Sequence, residues 1–302
     1  MKKLKPGWYI LLYHDISWEE NSYLQAIGGT CPPDLFRQHL KTLVSLGELV
    51  SVQEGEKRLR DGSIDAPIFS LWFDDGLIGV EKYAIPILDE LGIAGAISIC
   101  NRFVNRTEFY WRFKLSYLNS IDGMRFLRSR LKKHGLKRGD SVRTFTLEHF
   151  SLDILSHIEE LYQRFTTLTQ RNDAFRMFIN SDSIKPVFDR GWVIANHTAG
   201  HYTVSPEYGL QSLFEEFQEC EVSIKSICQS PSQHWVLPFD RPSPLENTRT
   251  TNGIRGDRCW VVVGNRRNTS ESYNNTRVLY RISAPIGLPR ELTDQLIAAQ
   301  SR

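Results

Sequence analysis

Seven short apolar runs recur along the chain, and they show little alternation between apolar and polar residues. They are "WYILLY" (8–13), "IFSLWF" (68–73), "GAISIC" (95–100), "WVIA" (192–195), "WVL" (235–237), "CWVVV" (259–263) and "VLYRI" (278–282). Strands that are covered on both faces carry apolar residues on both faces, which is typical of parallel sheets. The pattern therefore predicts a parallel sheet.

Helical patterns separate several of these runs. Residues 33–47 have proline early, glycine at the end and apolar side chains on one helical face. Residues 81–92 also end on glycine, and residues 210–228 carry a long apolar stripe. Strands that alternate with helices in this way indicate an α/β domain, either open or barrel-like.

The alternation stops between residues 104 and 190. This stretch is charged, rich in helical patterns and without a convincing strand, and the strand pattern resumes at 192. We therefore interpret 1–302 as a single domain with a helical insertion at 104–190. Two long polar segments, 241–256 and 264–276, are predicted to be loops near strand ends, where functional residues tend to lie.

Composition and charge exclude several classes of protein. The 302 residues are 41% apolar and 24% charged, as in an ordinary globular protein, and the net charge of +2 gives no reason to expect a nucleic-acid partner. The basic cluster at 128–138 is expected to be a solvated helix face. No apolar stretch approaches the ~18 residues of a membrane span, and no signal peptide is apparent, so we expect a cytoplasmic protein. The five scattered cysteines favour buried free thiols.

Candidate chemistry begins at "SLWFDDGL" (70–77), an apolar strand that ends on two adjacent carboxylates, Asp74 and Asp75. Another strand is followed by "NHTAGH", in which His197 and His201 are four residues apart. On one helical turn both imidazoles would project from the same face and could reach one metal ion at about 2.0–2.1 Å. Two histidines and one aspartate would leave positions open for water and substrate, and the second aspartate could act as a general base. The alternatives are a solvated turn and a surface histidine pair.

"WFDDG" and "NHTAGH" together resemble the first two motifs of the polysaccharide deacetylases, the NodB-homology domains of carbohydrate esterase family 4. The resemblance covers most of 8–104 and 190–285. It implies a distorted (β/α) barrel of about seven strands, a divalent metal ion, most often Zn²⁺, and removal of an N-acetyl group from an amino sugar. It also implies that Asp74 is the general base and that the metal ligands are Asp75, His197 and His201.

The third motif of that family has no clear copy here. "WVLPFD" (235–240) supplies a matching pair, Pro238 and Phe239, and the resemblance gives the backbone N–H of Phe239 an oxyanion role. The family's arginine, which steadies the base, would fall on Val236. It is therefore missing or replaced, with Arg241 as a candidate.

The family's C-terminal histidine is also absent, because no histidine follows His234. However, "LLYHDI" places His14 at the end of the first strand. This resembles the branch that includes poly-N-acetylglucosamine deacetylases, in which a Y-H-x-I motif stands at this place and the third motif lacks its arginine. His14 would then be the general acid. Its neighbour Asp15 could orient the imidazole ring or face water, and we expect it to face water.

Several functional alternatives stay open. Removal of a formyl group, or hydrolysis of a non-sugar amide such as a cyclic imide, suits the same motifs, and an inactive carbohydrate-binding relative would keep the fold alone. The apparent lack of a secretion signal favours an intracellular or small N-acylated amino sugar, including a nucleotide-linked or lipid-linked precursor. The insertion and the segments 241–256 and 264–276 would select the substrate. Trp111 and Tyr110 could stack on a sugar, although a core aromatic cluster is favoured for them.

Overall fold

Eight strands lie within residues 3–241 and 257–301, the part of the chain that this computed structural model describes. They are β1 (Gly7–Tyr13), β2 (Glu48–Leu49), β3 (Pro67–Phe73), β4 (Ala96–Ile99), β5 (Val193–Asn196), β6 (His234–Val236), β7 (Cys259–Val263) and β8 (Val278–Ser283). Every pairing between them is parallel.

Thirteen α-helices surround the strands in the same described residues. They are α1 (Pro33–Leu46), α2 (Val52–Asp61), α3 (Ile85–Asp89), α4 (Asn101–Val104), α5 (Trp111–Ser120), α6 (Met124–Leu131), α7 (Val142–Glu148), α8 (Leu152–Phe165), α9 (Leu168–Ala174), α10 (Ser181–Asp189), α11 (Leu210–Cys228), α12 (Ser270–Thr276) and α13 (Pro289–Ala299). None of them is long and apolar enough to cross a membrane.

The sheet closes into a barrel. The strand order is β1-β8-β7-β6-β5-β4-β3, and β1 also pairs with β3, so seven strands form a ring. The predicted barrel of about seven strands is confirmed, and each barrel strand coincides with one of the seven apolar runs to within a residue or two. The extra strand β2 pairs with the beginning of β3 and is too short to show a sequence pattern.

Both faces of the barrel strands are buried, which explains why the runs do not alternate. In β1, Trp8, Ile10 and Leu12 pack with the residues that fill the barrel interior. Tyr9 and Leu11 pack outward, against the surrounding helices. Because side chains alternate along a strand, this register directs the residue after β1 towards the barrel axis at its carboxyl end.

The connection between β4 and β5 consists of helices α4 to α10 and contains no strand in the described residues. These helices have an apolar cluster of their own, which includes Phe103, Phe109 and Tyr162. The cluster is joined to the barrel at the loop after β3, where Ile179 N–H donates to Gly76 O at 2.8 Å. The proposed insertion at 104–190 lies within this connection.

One predicted loop is partly wrong. Residues 264–276 end in α12, whose first turn is capped by the Thr269 hydroxyl, which accepts a hydrogen bond from Ser272 N–H at 3.3 Å. A short polar helix carries no apolar stripe, so its sequence resembles a loop. The other predicted loop, 241–256, lies outside the described residues except for Arg241.

Candidate metal centre

The carboxyl ends of neighbouring strands bring the predicted residues together. Tyr13 is opposite Phe73 in the β1–β3 pairing, and Asp74 N–H donates to Tyr13 O at 3.0 Å. His14 and Asp74 therefore leave adjacent strands side by side. His197 follows β5, and its N–H donates to Ile99 O at 3.0 Å. The parallel barrel thus gathers residues from distant parts of the sequence at one rim.

Asp75 combines a strained backbone with a buried side-chain oxygen that has no partner. Its φ of 70° lies in the left-handed region, which is uncommon outside glycine. Its side chain is buried, with 1% of its surface exposed, and Oδ1 has no hydrogen-bond partner. A buried carboxylate oxygen without a partner is costly. Something of positive charge is therefore expected beside it.

The two histidines do not lie on a helical turn, so that part of the prediction is wrong. They lie in a loop in which Thr198 and His201 both have positive φ, at 68° and 56°. Asn196 Oδ1 accepts from Thr198 N–H, and Thr198 Oγ1 accepts from His201 N–H, each at 3.0 Å. These side-chain bonds replace helical hydrogen bonds, and the loop still turns both imidazoles towards Asp75.

The three predicted ligand atoms are spaced like the corners of a coordination polyhedron. Asp75 Oδ1 lies 3.4 Å from His201 Nε2 and 3.7 Å from His197 Nε2. The two Nε2 atoms are 3.1 Å apart. Ligands bonded at 2.0–2.1 Å in a tetrahedron are separated by about 3.3 Å. The residues fit a divalent metal ion such as Zn²⁺, and the unpartnered Asp75 oxygen faces the place where it would bind.

Neighbouring groups orient both imidazoles for this role. His197 Nδ1–H donates to Val236 O at 3.0 Å, which leaves the Nε2 lone pair free. His201 Nδ1 lies 3.1 Å from the Tyr110 hydroxyl, and Trp111 Nε1–H donates to His201 O at 3.1 Å. Such partners of the second ring nitrogen are characteristic of metal-binding histidines.

Tyr110 and Trp111 therefore hold His201 in place and do not form a surface on which a sugar could stack. Both are buried, with 2% and 0% of their surface exposed, and belong to the aromatic cluster of the helical connection. Neither offers the open ring face that stacking on a sugar requires. The interpretation as core residues fits the structure, and these two residues link the helical connection to the candidate centre.

Asp74 is paired with an arginine that was not among the predicted site residues. Arg281, in β8, donates from Nη1 to Asp74 Oδ1 at 2.6 Å, and 1% of its surface is exposed. Burial alone would raise the pKa of Asp74, but Arg281, with His197 and His14, holds it well below its usual range. The pKa of Asp75 is instead raised, because of burial and the neighbouring charge of Asp74.

The signal for Arg281 was a lone arginine in the apolar run "VLYRI". It shares strand parity with Leu279, which fills the barrel interior, so its side chain enters the barrel. Arg281, and not Arg241, is the arginine that pairs with Asp74 in this structure. Arg241 follows the turn Pro238–Asp240 and is partly exposed.

His14 lies at the rim as predicted, whereas Asp15 does not face water. Burial lowers the pKa of His14 to about 4; Asp74 opposes this shift, and Arg281 and His197 add to it. Asp15 is only 6% exposed, and burial raises its pKa to about 6. A Cβ on Gly79 would meet Asp15 Oδ1 at 2.2 Å, so glycine allows the backbone to cover this carboxylate. The prediction for Asp15 was wrong because nothing in the sequence shows that cover.

The segment around Phe239 closes another side of the centre. Phe239 has a φ of 56°, and its ring packs edge-on against His201 with 4.7 Å between centroids. Pro238 is buried before it, and Asp240 Oδ1 accepts from Val263 N–H at 2.8 Å. These contacts hold the Phe239 backbone beside the candidate ligands, although its oxyanion role stays a prediction.

Comparison with known proteins gives a clear result for structure alone. No family model matches the sequence, and no curated protein matches it. A de-N-acetylase from Aggregatibacter actinomycetemcomitans matches with a TM-score of 0.60 and 14% identity, over 96% of this chain and 99% of that one. IcaB from Ammonifex degensii matches with a TM-score of 0.59 and 15% identity, over 99% and 100%.

The BpsB deacetylase domain from Bordetella bronchiseptica matches with a TM-score of 0.54 and 12% identity, over 91% of this chain and 95% of that one. The chain has the fold of the polysaccharide deacetylases. The fold implied by the resemblance of "WFDDG", "NHTAGH" and the early histidine is thereby confirmed. At this level of identity the comparison establishes the fold alone. The roles of individual residues have to be argued from the geometry described above.

Proposed function

We propose that this protein is a metal-dependent amide hydrolase that removes an N-acetyl group from an amino sugar. The observation that carries the proposal is the buried, unpartnered Asp75 Oδ1, which lies within 3.7 Å of two imidazole Nε2 atoms. The similarity to solved deacetylases supports the same reaction. Asp75, His197 and His201 would hold the ion, which when bound would acidify a water and polarise the acyl oxygen.

The chain's own residues supply the remaining chemistry. Asp74 is ionised because Arg281 pairs with it, so it can accept a proton from the attacking water. Its free oxygen, Oδ2, lies 3.8 Å from His197 Nε2 and so faces the centre. The Phe239 N–H would donate to the oxyanion that forms on the acyl group.

His14 would protonate the departing amine. Its pKa of about 4 means that the resting imidazole is neutral at pH 7, so it has to gain a proton during turnover. The proton that Asp74 takes from water is a source at the same rim. Breaking the amide bond then releases acetate and the free amino sugar.

The burial of the site favours a small saccharide as the substrate. Asp74, Asp75, His197 and His201 are each at most 5% exposed. Tyr110, Trp111 and Phe239 cover His201 from two sides. A site enclosed in this way would admit an acyl group on a small sugar more readily than the middle of a polymer. The cytoplasmic location expected from the sequence stays a prediction.

The direct test is a mass-spectrometric screen of the zinc-loaded protein against N-acetyl and N-formyl amino sugars. We expect loss of an acetyl group, abolished by Asp74→Asn and retained by Asp61→Asn, a matched change of an exposed aspartate. Loss of formyl alone would make the protein a deformylase. A bound metal without activity on any sugar would indicate a non-sugar amide, and absence of both would indicate an inactive carbohydrate-binding relative.

A further inference from the structure

A cavity of about 450 Å³ lies among α5, α6 and α7, in the helical connection. Its size is within the range of small-molecule sites. Among its lining residues in the described part of the chain, three are arginines, several are neutral polar residues, and none is acidic. The arginines are Arg112, Arg128 and Arg143. The cavity therefore differs from most of the protein's surface, where opposite charges are mixed.

Arg112 is the decisive residue, because its charge is buried and forms no ion pair with any carboxylate in residues 3–241 or 257–301. Its residue exposure is 7%, and Nη1 is buried with no hydrogen-bond partner. The guanidinium packs against the rings of Trp111 and Phe239, with its carbon 5.4 and 5.3 Å from their centroids. A buried arginine is normally paired, since an uncompensated charge in the interior is strongly destabilising. An anion in the cavity would supply the missing partner.

Arg128 is held towards the cavity without being neutralised. Its Nη1 donates to Asp140 O at 2.7 Å and its Nη2 to Lys137 O at 3.3 Å. Both acceptors are backbone carbonyls, which orient the guanidinium and leave its charge in place. By contrast Arg125, also in α6, is 67% exposed and lies 3.4 Å from the Asp122 carboxylate. Arg128 belongs to the predicted solvated face at 128–138 and is partly exposed, and it also lines the cavity.

The cavity and the candidate metal centre are neighbours. The Phe239 ring centroid lies 5.3 Å from the guanidinium carbon of Arg112 and 4.7 Å from the centroid of the His201 ring. One aromatic ring is thus in contact with both the buried guanidinium and a predicted metal ligand. A substrate that occupied both places would have to extend past this ring, with its acyl group at the metal and a charged substituent at the arginines.

We propose that this cavity binds a phosphate group of the substrate, so that the enzyme acts on phosphate esters of N-acylated amino sugars. This inference rests on the proposed function. A guanidinium group can donate two parallel N–H hydrogen bonds to two oxygens of one phosphate group. A phosphate monoester carries a charge of about −1.5 to −2 at neutral pH, which balances Arg112 and Arg128 together, whereas one carboxylate would balance only one of them.

The test compares kcat/KM for N-acetylglucosamine and for its 1-phosphate, with a nucleoside diphosphate ester as a third substrate. We expect a preference of about a hundredfold or more for a phosphorylated form, as two charge-assisted hydrogen bonds would give. The third substrate distinguishes a simple sugar phosphate from a nucleotide-linked one. Arg112→Met and Arg128→Gln should each reduce the preference by about tenfold, while Arg125→Gln should leave it unchanged.

Equal kcat/KM values for the neutral and phosphorylated sugars would overturn the proposal. So would a preference that survives both arginine changes, or a stronger preference for a carboxylate-bearing N-acetyl sugar. Because Arg112→Met removes an unpaired buried charge, we expect no loss of thermal stability, so misfolding can be separated from lost recognition by an unfolding scan.

Calorimetric titration with glucosamine 1-phosphate, the product, separates this inference from the proposed function. One outcome is that binding weakens in Arg128→Gln and not in Arg125→Gln, while no substrate releases an acyl group. This outcome would support the phosphate site and refute the hydrolase. Acyl release with no arginine dependence would support the hydrolase and refute the phosphate site.

Discussion

Each end of the barrel places a carboxylate beside a histidine, and the two carboxylates differ in how many hydrogen bonds they accept. At the amino-terminal end, Glu56 accepts hydrogen bonds from His234 Nε2 at 3.1 Å, the Tyr273 hydroxyl at 2.7 Å and Arg60 Nη1 at 2.9 Å. At the carboxyl end, Asp75 Oδ1 faces two imidazoles and has no hydrogen-bond partner. One carboxylate is satisfied and the other is not.

The pKa values follow this difference. Burial raises the pKa of Glu56, but its three partners outweigh burial and bring it to about 2. Burial and Asp74 raise the pKa of Asp75, with only Arg281 opposing them. In a barrel of this type the amino-terminal end contributes stability and the carboxyl end carries the chemistry. We therefore interpret the unsatisfied Asp75 at the carboxyl end as part of a preformed site. We interpret the satisfied Glu56 at the amino-terminal end as a structural contact.

The largest effect is expected for Asp75→Asn. The change removes a proposed metal ligand, so activity should fall by about a thousandfold or more and bound zinc should be lost. The metal-free variant should unfold at a higher temperature than the metal-free wild type, since the buried charge is gone. Metal analysis and thermal unfolding in chelator measure both.

The pH dependence of the same variant sharpens the comparison. A carboxylate whose pKa is raised by folding binds its proton more tightly when folded, so it destabilises the metal-free protein as pH rises above about 4. Metal-free Asp75→Asn should lack this loss. An identical pH profile of unfolding for both proteins would show that Asp75 is not an unpaired buried charge.

Arg281→Met should have the next largest effect. Without the guanidinium the pKa of Asp74 should rise, so the acidic limb of the activity profile should move to higher pH and activity at pH 7 should fall by about a hundredfold. Arg281→Lys keeps the charge and should lie between this variant and the wild type. An unshifted limb in Arg281→Met would mean that Asp74 does not depend on this pair.

Tyr110→Phe should weaken metal binding by about 10- to 100-fold, because it removes the group beside His201 Nδ1. Tyr117→Phe, in the helix α5 that follows Tyr110, is the matched control, because its hydroxyl donates to Phe165 O and not to a predicted metal ligand. Competition for zinc with a chelator measures the difference. Equal affinities in the two variants would exclude a role for Tyr110 in orienting His201.

Glu56→Gln should affect stability alone. Losing the charged acceptor should cost about 1–3 kcal/mol of folding free energy, with metal content and activity per folded molecule unchanged. Since folding lowers the pKa of Glu56, its contribution is present above about 4.5 and is lost as pH falls towards about 2. The denaturation midpoints of the wild type and Glu56→Gln should therefore converge in acid. A change in metal content would contradict the division between the two ends.

Much of the fold was predictable because buried strands leave long apolar runs. The seven runs are the seven barrel strands, and the helical stripe at 210–228 is α11 in full. β2 and α12 were missed because two strand residues and seven polar helical residues carry no periodic signal. The two site motifs were also recognisable in the sequence, because adjacent carboxylates and closely spaced histidines directly after buried strands indicate a functional site.

What escaped prediction depends on distant contacts. The loop at His197 and His201 is held by side-chain hydrogen bonds of Asn196 and Thr198 rather than by helical hydrogen bonds. A spacing of four residues is compatible with either the loop or a helical turn, so the sequence does not distinguish them. Arg281 reaches Asp74 across the barrel from 207 positions away, a pairing that only ring closure creates. The unpaired charge of Arg112 likewise appears only when the helices are packed.

A zinc titration of chelator-stripped protein, with acetate release from an N-acetyl amino sugar as the readout, tests the proposed metal centre most directly. We expect activity to rise in proportion to added zinc and to stop rising at one ion per chain, and Asp74→Asn to bind the same ion without releasing acetate. Full activity in the stripped protein, or zinc binding that is undiminished in Asp75→Asn, would refute the metal centre.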